Sequence, residues 1–329
     1  MLGKIGLEEH CATAETVDDS MFVVKGEEAR RALSGKLLDF LDLRIREMDK
    51  YGMELMVLSM NSPAIQARWE RKAASDMARH ANDTVAEAIA KRPERFRSFA
   101  ALAMQDPDEA TRELERCVKE LGFVGALVNG FSQVDSEDNI VYLDDERYRS
   151  FWAKVEELDV PFYLHPRTAL PQHRQMYAGH PYLMGASWGF AVETGTHALR
   201  LMCSGLFDEF PGLKIILGHL GEFLPAHIWR TQHRLTHEAP GFGVPVRWKR
   251  SLMEYFTQNF YLTTSGNFRM PVLLAALMEI GSDNVLFATD YPFEDVGYAC
   301  TWFDHCEINE NDRLKIGRTN AERLFRLTL

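Results

Sequence analysis

Ionisable side chains end several short apolar runs of this sequence. Glu8 and His10 close the first such run, and His165, His219 and Asp290 each close a later one. In a barrel of parallel strands the carboxyl ends of all strands meet on one rim, so distant parts of a chain can bring their side chains together there. Imidazoles and carboxylates gathered in this way are typical metal ligands. The pattern therefore predicts a closed parallel sheet that carries a metal site on one rim.

The rest of the chain alternates β-rich runs with amphipathic stretches in which apolar residues recur every three or four positions. Strands are expected at residues 4–8, 55–59, 96–102, 125–129, 161–165, 214–219, 260–264 and 284–289. Helices are expected at 37–51, at 67–91 and after Asp106, where a capping side chain precedes a proline. Eight β/α units in 329 residues predict an α/β protein of the (β/α)8 TIM-barrel type. An open doubly wound sheet is the alternative, but no glycine-rich dinucleotide motif follows an early strand.

Composition and charge argue against several classes of protein. The net charge is −11 with both signs interspersed, which is not typical of a nucleic-acid-binding surface. The five cysteines form no CxxC pair, as expected of reduced thiols in a cytoplasmic protein. No apolar run approaches transmembrane length, and no linker or repeat divides the chain. We therefore expect one domain over residues 1–329, located in the cytoplasm, with no nucleic-acid or membrane partner.

Glu8, His10, His165 and Asp290 form the expected set of metal ligands. Residues two apart on a strand point to the same face, so Glu8 and His10 are both expected to face the barrel axis, with Glu9 pointing outward. Burying several ionisable groups together is costly unless they share an ion. A set of nitrogen and oxygen ligands suits either Zn²⁺ or Mn²⁺. The fourth strand offers no acid or lysine that could bridge two ions, so one metal is expected.

His219 is expected to act on the substrate rather than to bind the metal. One helical turn would bring Glu222 to its ring, where a carboxylate would orient the imidazole and favour its protonated form. An ordinary salt bridge at a helix start is the alternative for this pair. Arg230, two helical turns further on, is a candidate to bind an anionic group of the substrate. A surface arginine without such a role is the alternative.

Aromatic and amide side chains complete the expected pocket. Two long connections are expected on the rim that carries the site, and both are candidate lids. They are residues 11–36 after the first strand and residues 166–189 after the fifth. The candidate substrate-contacting side chains are Phe22, Phe190, Phe293 and Asn129. Core or rim packing is the alternative for each ring, whereas the amide of Asn129 could donate to a substrate oxygen.

These motifs resemble the amidohydrolase superfamily, within the branch of metal-dependent decarboxylases that includes aminocarboxymuconate semialdehyde decarboxylase. The resemblance runs along the whole chain and is carried by the segments 3–10, 121–130, 158–167, 217–222, 263–268 and 315–325. Most hydrolases of the superfamily have His-x-His in the first strand, whereas this chain has Glu8 and His10 at those positions. This departure favours non-oxidative decarboxylation over hydrolysis.

The resemblance implies a barrel enzyme with one Zn²⁺ or Mn²⁺, assembled as a homo-oligomer, either a tetramer or a dimer. It also implies the reversible decarboxylation of a small hydroxybenzoate, with 2,6-dihydroxybenzoate as the expected substrate. Asp290 would protonate the ipso carbon of a substrate held at the metal, with His219 and Glu222 as further catalytic residues. The alternatives are decarboxylation of 2,3-dihydroxybenzoate or salicylate, and hydrolysis of a lactone at the same metal.

Overall fold

The strands of a computed structural model of the chain, which describes residues 1–328, close into a barrel. They lie at Lys4–Cys11 (β1), Met53–Met60 (β2), Phe96–Ser98 (β3), Ala100–Ala101 (β4), Ala126–Asn129 (β5), Ser132–Gln133 (β6), Ile140–Val141 (β7), Phe162–His165 (β8), Ile215–Leu217 (β9), Phe260–Thr263 (β10) and Val285–Leu286 (β11). One parallel sheet has the order β11-β10-β9-β8-β5-β4, and a second has the order β1-β2-β3. The strands β6 and β7 form a separate antiparallel pair.

Two sets of contacts join the parallel sheets into one barrel. Phe99 lies between β3 and β4, and its N–H donates to the carbonyl of Leu58 on β2 at 2.9 Å, so β3 and β4 are halves of one strand. At the other junction, Leu7 bridges Ala288 in parallel, and the N–H of Leu7 donates to the carbonyl of Phe287 at 3.0 Å. The barrel therefore has eight parallel strands, and the predicted (β/α)8 fold is confirmed.

The α-helices lie at Glu27–Leu38 (α1), Leu43–Tyr51 (α2), Arg71–Ile89 (α3), Pro107–Lys119 (α4), Arg149–Leu158 (α5), Gly189–Cys203 (α6), Leu206–Glu209 (α7), Leu224–Glu238 (α8), Leu252–Asn259 (α9), Met270–Ile280 (α10), Val296–Asp304 (α11), Glu310–Leu314 (α12) and Asn320–Phe325 (α13). Asp106 caps α4 as predicted, because its side chain accepts hydrogen bonds from two N–H groups of the first turn. Among the described residues, no helix is both long and apolar enough to cross a lipid bilayer.

The predicted helix at residues 37–51 is wrong in its bounds. The chain leaves α1 at Asp39, which has an extended backbone, and α2 begins only after Asp42. The carboxylate of Asp39 accepts hydrogen bonds from the backbone N–H groups of Asp42 and Arg44, at 3.3 and 3.1 Å. Such side-chain bonds stabilise a turn where apolar spacing alone predicts a continuous helix. Most of α1 therefore lies inside the segment 11–36, which the sequence predicts only as a connection.

The core has two apolar layers. Alternate strand residues such as Leu7, Val57, Leu127 and Ile216 pack in one buried cluster, and the residues between them pack against the helices in another. Because successive residues of a strand face opposite sides, the first cluster fills the barrel interior. Phe325 of α13 belongs to it as well. The ionisable residues at the strand ends thus stand on a packed apolar layer.

Candidate metal centre and active site

The backbone turns sharply at three of the predicted site residues, at Glu8 within β1 and at His219 and Asp290 beyond the ends of β9 and β11. Glu8, His219 and Asp290 have φ angles of 59°, 55° and 63°, a left-handed conformation that costs a non-glycine residue of order 1–3 kcal/mol. The pairing of β1 with β2 also shifts its register just before Glu9, so β1 bulges at Glu8. Backbone strain at three residues that converge on one point indicates a functional site.

Glu8, His10, His165 and Asp290 come together on the rim of the barrel. Nε2 of His165 lies 3.2 Å from Oε1 of Glu8, and Nε2 of His10 lies 3.4 Å from Oδ1 of Asp290. The rings of His10 and His165 meet edge to face with their centroids 4.6 Å apart. Glu8, His10 and His165 each offer one ligand atom, and these atoms lie within 4.8 Å of one another. The four residues predicted to hold a metal are thus close neighbours.

Hydrogen bonds to the far nitrogen orient the two buried histidine rings. Nδ1 of His165 lies 2.7 Å from Oδ1 of Asn129, so Nδ1 carries the proton and Nε2 presents a lone pair toward Glu8. Oγ of Ser59 lies 3.0 Å from Nδ1 of His10. Partners of this kind fix the tautomer and the orientation of histidine ligands in metal proteins.

The predicted role of Asn129 as a donor to the substrate needs correction. Its side chain is buried at 2% exposure, and Nδ2 donates to the backbone carbonyls of Asn61 and Pro63. Because Oδ1 accepts from His165, both ends of the amide are occupied by the protein. Asn129 therefore orients a candidate ligand, and it does not line the pocket described below.

The donor atoms fit a divalent cation. Among the described residues, Oε1 of Glu8 and Nε2 of His10 are buried polar atoms without a hydrogen-bond partner. Leaving such an atom unpaired costs about 1–3 kcal/mol, and more when the group is charged. A carboxylate oxygen and an imidazole nitrogen are both ligands that Zn²⁺ and Mn²⁺ accept. A shared cation would satisfy both atoms.

Electrostatic attraction keeps the two carboxylates ionised. Burial raises the pKa of Glu8, but the charge of His219 and the adjacent imidazoles of His165 and His10 outweigh burial and hold this pKa well below its ordinary value. Burial also raises the pKa of Asp290, but the adjacent imidazoles of His10 and His219 lower this pKa by more, so the net shift is downward. Both groups are therefore carboxylates at neutral pH, which is the form that binds a cation.

His219 and Glu222 lie in a turn and not on a helix, which corrects the predicted placement of Glu222. Residues 219–223 all have positive φ angles, and α8 begins only at Leu224. The turn still brings Oε1 of Glu222 to 2.7 Å from Nδ1 of His219. Burial lowers the pKa of His219, but the charges of Glu222 and Glu8 raise it well above its ordinary value. The predicted pairing of imidazole and carboxylate is thus present.

His219 lies as close to the candidate ligands as they lie to one another. Its Nε2 is 3.4 Å from Oε1 of Glu8 and 3.9 Å from Oδ2 of Asp290. Glu8, His219 and Asp290 form a second group whose ligand atoms could hold an ion. The geometry therefore makes His219 a candidate for the metal as well as for the substrate.

A pocket with a volume of about 260 Å³ lies over these residues. Phe22, Phe190 and Phe293 line it, as predicted from the sequence, and the ring of Phe293 meets His10 edge to face at 5.5 Å between centroids. The segment 11–36 contributes a large part of the wall, including Phe22, whereas Ala186 is the contribution of 166–189 among the described residues. A largely apolar pocket with a few convergent polar groups is typical of a site for a small molecule.

Arg230 does not lie in this pocket. Its side chain is exposed on α8, and Arg230 is not among the residues that line the cavity. The prediction counted helical turns from Glu222, but α8 begins only after the turn at residues 219–223. The count therefore does not give the position of Arg230. The prediction that places Arg230 at the pocket therefore needs correction, because Arg230 of this chain lies outside the cavity.

Sequence reasoning missed four groups at the site. Tyr163, Thr263 and Ser265 donate hydrogen bonds to Oε2 of Glu8, and Glu294 lines the pocket. Alternation along the strand could have identified Tyr163, which lies two residues before His165 and so shares its face. The hydroxyl-rich end of β10 was a comparable signal for Thr263 and Ser265.

The sequence matches the family model described as Amidohydrolase over residues 21–327. A gamma-resorcylate decarboxylase of Rhodococcus jostii strain RHA1 is 56% identical over 330 residues, covering 99% of this chain and 99% of that protein. The crystal structure of a 2,6-dihydroxybenzoate decarboxylase complexed with 2,6-dihydroxybenzoate is 55% identical with a TM-score of 0.95, covering 99% of this chain and 100% of that one. Another similar crystal structure is that of a dihydroxybenzoic acid decarboxylase of Polaromonas sp. JS666, with bound manganese and the inhibitor 2-nitroresorcinol. It is 53% identical with a TM-score of 0.94, and the match covers 99% of this chain and 97% of that one.

Proposed function

The chain belongs to the amidohydrolase family, and from this we propose that it is a divalent-metal-dependent decarboxylase that converts 2,6-dihydroxybenzoate to resorcinol and CO₂. The observation that carries the proposal is the convergence of two carboxylates and two imidazoles beside an aromatic-lined pocket of about 260 Å³. The reaction is reversible, so the same site adds CO₂ to resorcinol when bicarbonate is abundant.

Glu8, His10, His165 and Asp290 would hold the metal. Mn²⁺ is the first candidate because a relative of similar structure contains manganese, and Zn²⁺ suits the same donor set. A divalent ion held there would supply Lewis-acid chemistry by stabilising the ionised form of a phenol beside it. The protein places the proton-carrying side chain, holds the substrate and excludes water.

Asp290 is the proton carrier in this proposal. As a carboxylate it takes the proton of the substrate's ortho hydroxyl, which raises the electron density of the ring. It then returns the proton to the ring carbon that bears the carboxylate, forming a C–H bond. The bond to the carboxylate breaks, CO₂ leaves, and the electron pair restores the aromatic ring. The ortho oxygen is then a phenolate, which takes up a proton from water to give resorcinol. Direct loss of CO₂ would instead leave an aryl anion that nothing stabilises.

His219 and the aromatic wall position the substrate. Glu222 holds the His219 imidazole at 2.7 Å and favours its protonated form, which can donate to the substrate carboxylate or to the second hydroxyl. The rings of Phe22, Phe190 and Phe293 restrict water, which strengthens each of these polar contacts.

A panel of three acids tests the substrate. Values of kcat/KM for 2,6-dihydroxybenzoate should exceed those for salicylate and 2,3-dihydroxybenzoate by roughly ten- to a hundredfold, because a missing or misplaced hydroxyl leaves a polar group unpaired at a cost of about 1–3 kcal/mol. A preference for either other acid would overturn the substrate and leave the decarboxylase standing. Consumption of the acid without CO₂ release would indicate a hydrolase.

Metal content separates the ligands from the substrate-binding histidine. His10→Ala should lose bound manganese and activity together, whereas His219→Asn should keep the metal and lose turnover. Metal analysis on the purified variants, beside the wild type, decides this. Full metal occupancy in His10→Ala would contradict the proposed ligand set. Loss of metal in His219→Asn would show that His219 is a ligand.

We also propose that residues 1–329 form one domain of a cytoplasmic homo-oligomer, either a tetramer or a dimer. Exposed apolar side chains on α8 and α10, such as Trp229 and Met278, support self-association. The five unpaired cysteines support a reducing compartment. Light scattering after size exclusion measures the assembly directly, and a monomer at micromolar concentration would contradict it.

A further inference from the structure

The two oxygens of the Glu8 carboxylate have different surroundings. Oε2 accepts hydrogen bonds from the hydroxyls of Tyr163 and Ser265, and from Oγ1 of Thr263 at 3.3 Å. Oε1 has no hydrogen-bond partner in the part of the chain that the structure describes, and it lies 3.2 Å from Nε2 of His165. One oxygen of the carboxylate is therefore saturated by the protein, and the other is free to bind.

The three hydroxyls hold one another in place. Oγ1 of Thr263 lies 2.8 Å from the Tyr163 hydroxyl and 2.9 Å from Oγ of Ser265, and the N–H of His219 donates to Ser265 at 3.2 Å. All three side chains are fully buried. Each hydroxyl has one proton to give: Tyr163 and Ser265 donate theirs to Oε2, and Thr263 donates its single proton to one of its three neighbours, which are Oε2, the Tyr163 hydroxyl and Oγ of Ser265. The group formed by Tyr163, Thr263 and Ser265 is called the hydroxyl cage below.

Gly218 closes the remaining side of the cage. A Cβ atom at this position would lie 2.8 Å from Oε2 of Glu8 and 3.1 Å from Oγ of Ser265. A Cβ contact of 2.8 Å is shorter than side chains tolerate, so the Glu8 carboxylate and the backbone of Gly218 fit together without a shift because the residue is glycine. The orientation of the Glu8 carboxylate is thus restricted by the three hydroxyls and by the backbone of Gly218.

We propose that the hydroxyl cage is a set of positioning residues that holds Glu8 as a one-oxygen metal ligand. This inference rests on the ligand set of the proposed function and extends it to residues that touch neither metal nor substrate. A Glu8 that gives one oxygen would leave more of the ion's coordination positions open to a substrate than a Glu8 that gives both oxygens.

Titration of the metal-free protein with Mn²⁺ tests the cage without reference to turnover. Tyr163→Phe and Ser265→Ala each remove one donor and should weaken Mn²⁺ binding by roughly ten- to a hundredfold, the usual effect of losing a group that orients a ligand. Tyr261→Phe is the matched control. Tyr261 is half-buried on β10, two residues from Thr263, and its substitution should leave the affinity within about twofold of the wild type.

A pair of substitutions at Thr263 separates hydrogen bonding from packing. Thr263→Val keeps the shape and loses the hydroxyl, whereas Thr263→Ser keeps the hydroxyl and loses a methyl group. The cage predicts weakened Mn²⁺ binding in Thr263→Val and near-normal binding in Thr263→Ser. Thermal unfolding of the metal-free variants confirms that each is folded before it is titrated.

Glu8→Gln in the same titration distinguishes the two levels of the proposal. If Glu8→Gln binds Mn²⁺ as the wild type does, Glu8 is not a ligand, and the proposed ligand set and the cage fail together. If Glu8→Gln loses the metal while Tyr163→Phe or Ser265→Ala retains affinity within about fivefold, the cage alone is overturned. Equal affinities of Thr263→Val and Thr263→Ser would overturn it as well.

Discussion

The base of the pocket and its aromatic wall are built in different ways. At the base, buried hydrogen bonds hold the polar side chains in place: Asn129 and Ser59 orient two imidazoles, and the hydroxyl cage holds one oxygen of Glu8. The wall is held by apolar contact, and part of it faces solvent, since Phe22 is 53% exposed. The base thus has one geometry, whereas the wall can adapt.

This difference assigns separate tasks to the two regions. Groups that bind a metal and move a proton must be placed within a fraction of an ångström. Buried hydrogen bonds and three strained backbone positions fix these groups at the base. A wall that excludes water and recognises a ring tolerates small movements. Substitutions at the base should therefore change rates and metal content by orders of magnitude, and substitutions in the wall by less.

Asp290→Asn should have the largest effect on turnover. Asparagine still offers an oxygen to a cation but cannot carry a proton, and general acid–base groups contribute typically a hundredfold or more. We expect the metal-loaded variant to lose at least about a hundredfold in kcat, measured by the fall in ultraviolet absorbance of 2,6-dihydroxybenzoate. Asp18→Asn, an exposed site on the first lid, is the control. Retention of more than about a tenth of wild-type activity would show that Asp290 is not the acid.

Glu222→Gln should have the next largest effect, together with a shift in pH dependence. Glu222 raises the pKa of His219, so removing its charge lowers that pKa and the protonated form disappears at a lower pH. The alkaline limb of the kcat/KM profile should move to lower pH, and kcat/KM at neutral pH should fall by roughly ten- to a hundredfold. An unshifted profile would show that the charge of Glu222 does not control His219.

Phe293→Leu should produce a smaller change, because it alters the wall and leaves the base intact. The variant loses the edge-to-face contact with His10, and aromatic pairs of this kind contribute about 0.5–1.5 kcal/mol. We expect kcat/KM to fall by about fivefold with unchanged manganese content. A loss as large as that of Asp290→Asn would erase the distinction between wall and base.

His197 should make the wall sensitive to acid. It lies on α6, the helix that carries Phe190, and burial followed by the charge of Arg200 lowers its pKa to about 3. The unfolded chain takes up a proton below about pH 6.5 and the folded chain does not, so stability is lost as pH falls from there toward 3. Between pH 7 and 5 this amounts to about 2 kcal/mol.

His197→Gln tests this sensitivity. Glutamine can still accept the hydrogen bond that the N–H of Leu143 donates to Nε2 of His197. In urea unfolding of the metal-free protein, the variant should lose about 2 kcal/mol less between pH 7 and 5 than the wild type. If both proteins lose the same unfolding free energy between pH 7 and 5, the acid sensitivity does not arise from His197.

The base was largely predictable from the sequence, for a physical reason. A charged residue that ends an apolar strand has few uses other than a rim site, so Glu8, His10, His165 and Asp290 stand out without a structure. The groups behind them do not stand out, because Asn129 and the hydroxyl cage are ordinary polar residues whose role depends on which atoms they face.

The bounds of the helices around the site were less predictable. Apolar spacing at 37–51 suggests one helix, but the side chain of Asp39 accepts two backbone hydrogen bonds and breaks it. Five successive positive φ angles at 219–223 cannot be foreseen from a segment with a single glycine, and they moved Glu222 and Arg230 from their expected places. Local side-chain bonds and tertiary strain overrode the periodic pattern at both positions.

The most direct test of the account is the amount of CO₂ released per molecule of 2,6-dihydroxybenzoate consumed, before and after removal of the metal. The account predicts one CO₂ and one resorcinol per acid with the manganese-loaded protein, no reaction after chelation, and recovery when Mn²⁺ is restored. Consumption of the acid without CO₂, or undiminished CO₂ release by the metal-free protein, would contradict it.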